Sequence, residues 1–324
     1  MHLPARSILA LALTLVACDT DAPADAAVRD AATRDAGSPT DAGARDAAAL
    51  RDGGGRTDAG DVDAASRDAG TTTVVHGRDI GLDNTGFLAW RGPAGETCTE
   101  ATMTVYDTEV RTSTLGGSAT CAWFQAGIRV DAPVTLTACR IDGNVVNSTN
   151  DDIVLEYCLV ESPTPGDWAL GYSHFSATRC QLLGSSDGVR FGGSTRDVLI
   201  ENYIRTREQD PADHNDGVQM YGATGGGVLL RNNIDARPVG GGGGPNAALF
   251  IADDARGEYE IRDNYLLGGG FTLRLHESGT YRVTGNRIET GSYAFGPLST
   301  TAAVPGAFLE WSDNYETDGT ELTP

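Results

Sequence analysis

The chain of 324 residues contains no lysine; all 24 of its basic side chains are arginines, set against 45 aspartates and glutamates. The deficit of positive charge is uneven. Through Val74 there are 12 Asp and 7 Arg, and beyond it 33 acids face 17 Arg. So acidic a surface repels nucleic acid, which is therefore set aside as a partner. An acidic glycan would need an arginine cluster or a bound cation to reverse the field locally. Large apolar side chains are almost missing from Cys18 to about Thr73, where Asp, Ala, Gly, Arg and Thr dominate. That composition cannot bury enough surface to offset its ordering entropy, so residues 18–73 are expected to be a disordered tether. A long apolar run is missing too. The run from Ile8 to Val16 is too short for a permanent membrane span, and with Arg6 before it reads as a signal sequence.

Leu15, Val16, Ala17 and Cys18 resemble the bacterial lipoprotein lipobox. The resemblance implies cleavage after residue 17 and lipid attachment at Cys18. The expected product is exported and held at the bacterial cell envelope or cell surface, touching the membrane through its lipid only. The expected organisation is a lipoprotein signal peptide over 1–17, the tether over 18–73, and one folded domain over 74–324. A monomer is expected.

Export permits a disulfide, and Cys98 with Cys121 is the favoured pair, closing an N-terminal cap. Cys139, Cys158 and Cys180 differ. They lie 19 and 22 residues apart in the contexts VTLTACRI, IVLEYCLV and FSATRCQL. With asparagine allowed at the same place the series continues through Asn202, Asn232 or Asn233, Asn264, Asn286 and Asn314, and VYDTEV near Thr108 reads as an earlier member. A period of roughly 20 to 30 residues with alternating aliphatic positions marks a solenoid whose coils bury their apolar edges against one another. The expected fold is all-β, a right-handed parallel β-helix of about eight to ten coils. Small polar or thiol side chains at one recurring place suit an internal ladder at a bend, which makes the three cysteines ladder residues rather than metal ligands.

These features resemble the secreted parallel β-helix proteins of the pectate-lyase-like superfamily. More narrowly, exported members share an NTG segment (Asn84, Thr85, Gly86), an H-x-D-G-x-Q motif (His214, Asp216, Gly217, Gln219), a strand at Gly269 to Leu273 and another at Ala294 to Pro297. The resemblance covers about Ile80 to Leu322. It implies polysaccharide lyase, glycoside hydrolase or uronate epimerase chemistry, as a fold-level analogy.

The chemistry is expected around DPADHNDGVQMY, residues 210–221, which packs three carboxylates and a histidine into a short span. Longer intervals after Asn202, Asn232 and Asn286 place protruding loops there, and such loops wall a binding face. The segments DGVRF (187–191) and DGVQM (216–220) are near copies, which sets Asp187 over Asp216 and Arg190 over Gln219 at the coil spacing of about 4.8 Å. Close carboxylates share a proton or hold a cation, so Asp187, Asp213 and Asp216 are candidate Ca²⁺ ligands. The alternative is that both Asp-Gly pairs are turns entering strands.

Three functions compete on a polysaccharide partner. β-Elimination on a uronate glycan needs a neutralised carboxylate, a base at C5 and an acid at the leaving oxygen. His214 and Tyr221, with Asp213, Asp216 and Asp187, are the catalytic candidates. Arg190, Arg205, Gln219, Arg274 and His276 are the substrate-binding candidates, the last two being on one face of the strand FTLRLHE. The run DPADH also resembles the D-P-H motif of alginate epimerases, interrupted by Ala212 and Asp213. Hydrolysis would use paired aspartates, whose separation sets the stereochemistry. A non-catalytic glycan-binding adhesin is the third. Trp168, Tyr172 and Tyr221 are candidates to stack on sugar rings.

Overall fold

A computed structural model describes residues 76–324 except 208–214, 239–243, 253, 276–278 and 301–305. The chain divides into two units, 1–68 and 69–324, and the described residues all belong to the second. The signal peptide, Cys18 and the tether lie outside the described residues, as do Asp213, His214 and His276.

The described chain is a parallel β-helix. Three long sheets of ten, nine and seven strands run along it, and every strand pairs in parallel with the equivalent strand one coil away. Each coil visits the nine-stranded sheet, then the ten-stranded sheet, then the seven-stranded sheet. The period-2 alternation seen in the sequence explains the core. Leu136, Leu155, Leu199 and Leu229 point inward from one sheet, Ile141, Val160, Ile204 and Ile234 from the second, and Val145, Val189, Val218 and Leu249 from the third, all essentially sealed from water. Such coils bury their apolar faces only against their neighbours, which is why the repeat must persist.

The bend from the nine-stranded to the ten-stranded sheet is the most regular part. From Thr137 onward it is always two residues long: a left-handed residue, then a ladder residue. The left-handed positions are Ala138, Tyr157, Arg179, Glu201, Arg231, Asp263, Gly285 and Asp313. The ladder positions that follow are Cys139, Cys158, Cys180, Asn202, Asn232, Asn264, Asn286 and Asn314, all buried. Asn232, rather than Asn233, occupies the ladder. Asn233 faces outward and donates to the Ile80 carbonyl at 2.7 Å. The expected member near Thr108 is displaced: Thr104 is the register partner of Ala122, Val105 and Tyr106 continue in the ten-stranded sheet, and Val110 and Arg111 enter a separate two-stranded sheet. Its alternating context imitated the repeat without the bend.

In the asparagine half of the ladder each amide works in both directions. The Asn232 Oδ1 accepts from the Asn202 backbone N–H at 2.9 Å and from its Nδ2 at 3.0 Å, while Asn232 Nδ2 donates to Leu199 O at 2.9 Å. Asn264 and Asn286 repeat the pattern. In the thiol half the contacts are weaker. The Cys158 N–H meets Cys180 Sγ at 3.3 Å, and Cys158 Sγ reaches Leu136 O at 3.2 Å. The neighbouring Cys158 thiol, followed by burial, pushes the Cys139 thiol far above its ordinary range, so it stays protonated and unreactive.

Cys98 and Cys121 form the expected disulfide, with Cα atoms 5.5 Å apart. Before it, residues 76–87 run as a strap along the outer face of the ten-stranded sheet, against the direction of the coils. Gly77 N–H bonds Asp263 O at 2.8 Å, Gln181 Nε2 bonds Leu82 O and Thr85 O at 3.0 Å, and Gly86 N–H bonds Arg179 O at 2.8 Å. Gly77 has no room for a side chain, since a Cβ would fall 2.3 Å from Asn232 O. The NTG segment therefore fastens the strap.

Candidate functional site

The seven-stranded sheet differs from the other two in its connections. The chain enters it through links that vary from the two residues 269–270 to the longer stretches 207–215 and 237–246. The corner that feeds this sheet is thus where insertions accumulate. Most of the predicted site residues among the described ones lie on this sheet or at the ends of its strands.

Register fixes one outward row across this sheet. Gly171 pairs with Arg190, Arg190 with Gln219, Gln219 with Phe250, Phe250 with Arg274, and Arg274 with Ser299. The expected stacking of Arg190 over Gln219 is therefore found, and Arg274 joins the same row. No carboxylate occupies it. Arg190 and Arg274 stand three coil steps apart, roughly 14 Å at about 4.8 Å per step.

Gly171 leaves its row position open, and Trp168 covers it: a Cβ on Gly171 would meet Trp168 Nε1 at 2.6 Å. The Arg190 guanidinium lies over the Trp168 ring at 4.4 Å and 5.9 Å from the Tyr221 ring. Tyr221 itself is 56% exposed. Arg274 lies over Phe250 at 4.5 Å, and beyond it Phe271 and Phe295 stand 5.7 Å apart, Phe295 being 78% exposed. A cavity of about 220 Å³ opens there between Pro245, Asn246, Phe271, Arg274 and Phe295.

Asp187 and Asp216 stack as expected, and the reason is structural. The Asp187 Oδ1 accepts the Asp216 backbone N–H at 2.9 Å, and its Oδ2 accepts Arg190 Nε at 2.9 Å and Nη2 at 2.5 Å. Neither aspartate exposes any surface. The glycines that follow are forced by close approach of the next coil: a Cβ on Gly188 would lie 2.5 Å from Gly217 O, and one on Gly217 2.5 Å from Ala248 O. Neither glycine has positive φ, so the Asp-Gly pairs are not left-handed turns. Asp187 is a positioning residue for Arg190 and a fastener between coils.

That chemistry does not suit calcium at Asp187. A guanidinium already balances its charge, and both oxygens already accept hydrogen bonds. Among the described residues no group of three or more His, Cys, Asp or Glu is arranged to hold a metal ion.

Arg205 does not join the row. It lies on the outer face of the ten-stranded sheet, paired in register with Leu183 and Asp235, and its Nε is 4.0 Å from Asp235 Oδ2. Its nearness in sequence to the acidic run 210–216 suggested the site, but its strand belongs to a different sheet. Phe250, Phe271, Phe295 and Asn246 were missed by sequence reasoning. Aligning VRF, VQM, LFI and LRL at the same coil offset would have revealed Phe250 between the two arginines.

No protein-family model, no curated protein and no solved structure matches this chain. The fold is that of a parallel β-helix, and function rests on the site alone. Among the described residues no helix is long and apolar enough to cross a membrane.

Proposed function

We propose that the outer face of the seven-stranded sheet binds a uronate-containing polysaccharide and cleaves it by β-elimination. The observation that carries this is the outward row itself. It places two arginines among aromatic rings, with no carboxylate between them, on a domain that is otherwise strongly acidic. Rings supply stacking surface for sugars, and a cation on that face neutralises a uronate carboxylate.

Elimination removes the proton from C5 and breaks the bond from C4 to the glycosidic oxygen, which takes up a proton as it leaves. Neutralising the carboxylate acidifies C5, and Arg274 fits this role because no acidic partner for it stands among the described residues. Proton transfer at the scissile bond is assigned to His214, which lies outside the described residues. Tyr221, the exposed phenol beside Arg190, follows a strand two coil steps from that of Arg274 and serves the sugar platform. Asp187 holds the Arg190 guanidinium over Trp168, preserving the sugar platform.

Paired-aspartate hydrolysis is less well supported. Asp187 and Asp216 are both fully buried, and a general acid must reach the glycosidic oxygen. A non-catalytic glycan-binding adhesin, held at the envelope through Cys18, would use the same face. The two readings separate on product. Incubation of the full chain with uronate glycans is expected to yield unsaturated uronate absorbance and reducing ends together. Reducing ends alone would favour hydrolysis, and binding without either would favour the adhesin.

A further inference from the structure

The two arginines of the outward row are not equivalent. Arg190 is fully committed: Asp187 takes Nε and Nη2 on one carboxylate oxygen, and the guanidinium is packed against Trp168 with Tyr221 nearby. Its charge is balanced before any ligand arrives. Arg274 has no carboxylate within ion-pairing distance among the described residues, and its Nε makes no hydrogen bond there. One side of it rests on Phe250, and the other faces the 220 Å³ cavity beside Phe271 and Phe295. That volume lies below the usual range of about 300–1,000 Å³ for larger ligands, so it suits one sugar ring rather than a chain segment.

Resting on the polysaccharide reading above, we infer that this face selects a glycan in which acidic and neutral sugars alternate, rather than a homouronate. The acidic residue sits at Arg274, its carboxylate on the guanidinium and its ring against Phe295. The neutral residue sits on the Trp168 and Tyr221 platform, where the cation among the described residues, Arg190, is already balanced. The two subsites stand three coil steps apart, so the sugars they hold are not directly linked, and the acidic sugar at Arg274 is the one that loses its C5 proton. The charge of the domain works in the same direction. With 33 acids against 17 Arg beyond Val74, the surface repels a polymer carrying a carboxylate on every ring far more than one with half that density.

The experiment compares binding of the full chain to polygalacturonate and polyguluronate as homouronates, to hyaluronan and gellan as glycans with regularly spaced uronates, and to dextran as a neutral control. Affinity electrophoresis or calorimetry reads it, on wild type, Arg274→Gln and Arg274→Lys. The spaced-uronate glycans are expected to bind at least about tenfold more tightly than the homouronates, a difference of about 1.4 kcal/mol. Arg274→Gln is expected to abolish that margin while the thermal melt stays unchanged, and Arg274→Lys to restore part of it. Homouronates bound equally well or better would overturn the inference and leave the proposed function standing. A preference unaffected by Arg274→Gln would overturn the assignment of the acidic subsite. Failure to bind any of these glycans would count against the proposed function itself, and against this inference with it.

Discussion

Two corners of the same coil show opposite behaviour. The bend into the ten-stranded sheet keeps a length of two residues through eight coils, while the link into the seven-stranded sheet ranges from the two residues 269–270 to the ten residues 237–246. The first is locked by a buried ladder whose donors and acceptors are matched from coil to coil, so an extra residue would orphan them. The second has fewer such constraints and can vary, and it delivers Arg190, Gln219, Phe250 and Arg274 to one surface. Stability is concentrated at the invariant corner and candidate chemistry at the variable one.

The sharpest way to break this contrast is substitution at the regular bend. Asn232→Leu removes the acceptor for the Asn202 N–H and amide and leaves the Leu199 carbonyl without its donor. At about 1–3 kcal/mol for each orphaned buried group, the expected loss is roughly 3–5 kcal/mol, read by denaturant unfolding. Opening the Cys98–Cys121 disulfide by a double serine substitution should cost about 2–4 kcal/mol by the same measurement.

Asp187→Asn probes the variable corner. It keeps an acceptor for the Asp216 N–H but unpairs Arg190, with an expected loss of about 2–3 kcal/mol, below that of a fully buried pair because Arg190 reaches solvent. Its larger signature should be weaker glycan binding, since the guanidinium is no longer held over Trp168.

The smallest effect concerns Asp197, on the nine-stranded sheet, whose carboxyl is pushed up to about 6 chiefly by burial. A carboxyl raised in the folded state binds protons more tightly there than when unfolded. It therefore costs nothing when protonated in both states, below about pH 4. The penalty grows as pH rises toward 6 and is complete above it. Asp197→Asn keeps an oxygen to accept from the Phe175 N–H and the Thr195 hydroxyl. It should raise stability by about 1 kcal/mol at pH 7 and by nothing near pH 4, allowing for solvent screening. Equal stabilisation at both pH values would contradict the burial argument.

The fold was legible because the ladder is a local, periodic feature. Cysteine and asparagine recur after an aliphatic alternation, and only a coil brings such residues together. What the spacing did not reveal is the left-handed residue before each ladder position, since Ala138, Tyr157, Arg179 and Glu201 share no side-chain chemistry. The pairings of Asp187 with Asp216 and Arg190 with Gln219 were readable from the near-copied segments 187–191 and 216–220. Arg205 was misplaced because sequence nearness to the acidic loop does not say which sheet a strand belongs to. Phe295 and Phe271 escaped notice because a motif strand gives no hint of which rings stay exposed. The distinction between the arginines depends on a salt bridge only three residues long in sequence, Asp187 to Arg190, whose burial no spacing encodes.

The most direct test of the central claim is the simultaneous reading of unsaturated-uronate absorbance and reducing ends, for the full chain and for Arg274→Gln, on glycans with spaced uronates. The expected result is that both signals rise together for the wild type and fall at least about 100-fold in the variant, near 2.7 kcal/mol of lost transition-state stabilisation, with no change in thermal melt. Equal rates in the two proteins, or no product from either, would contradict the assignment of elimination to this face.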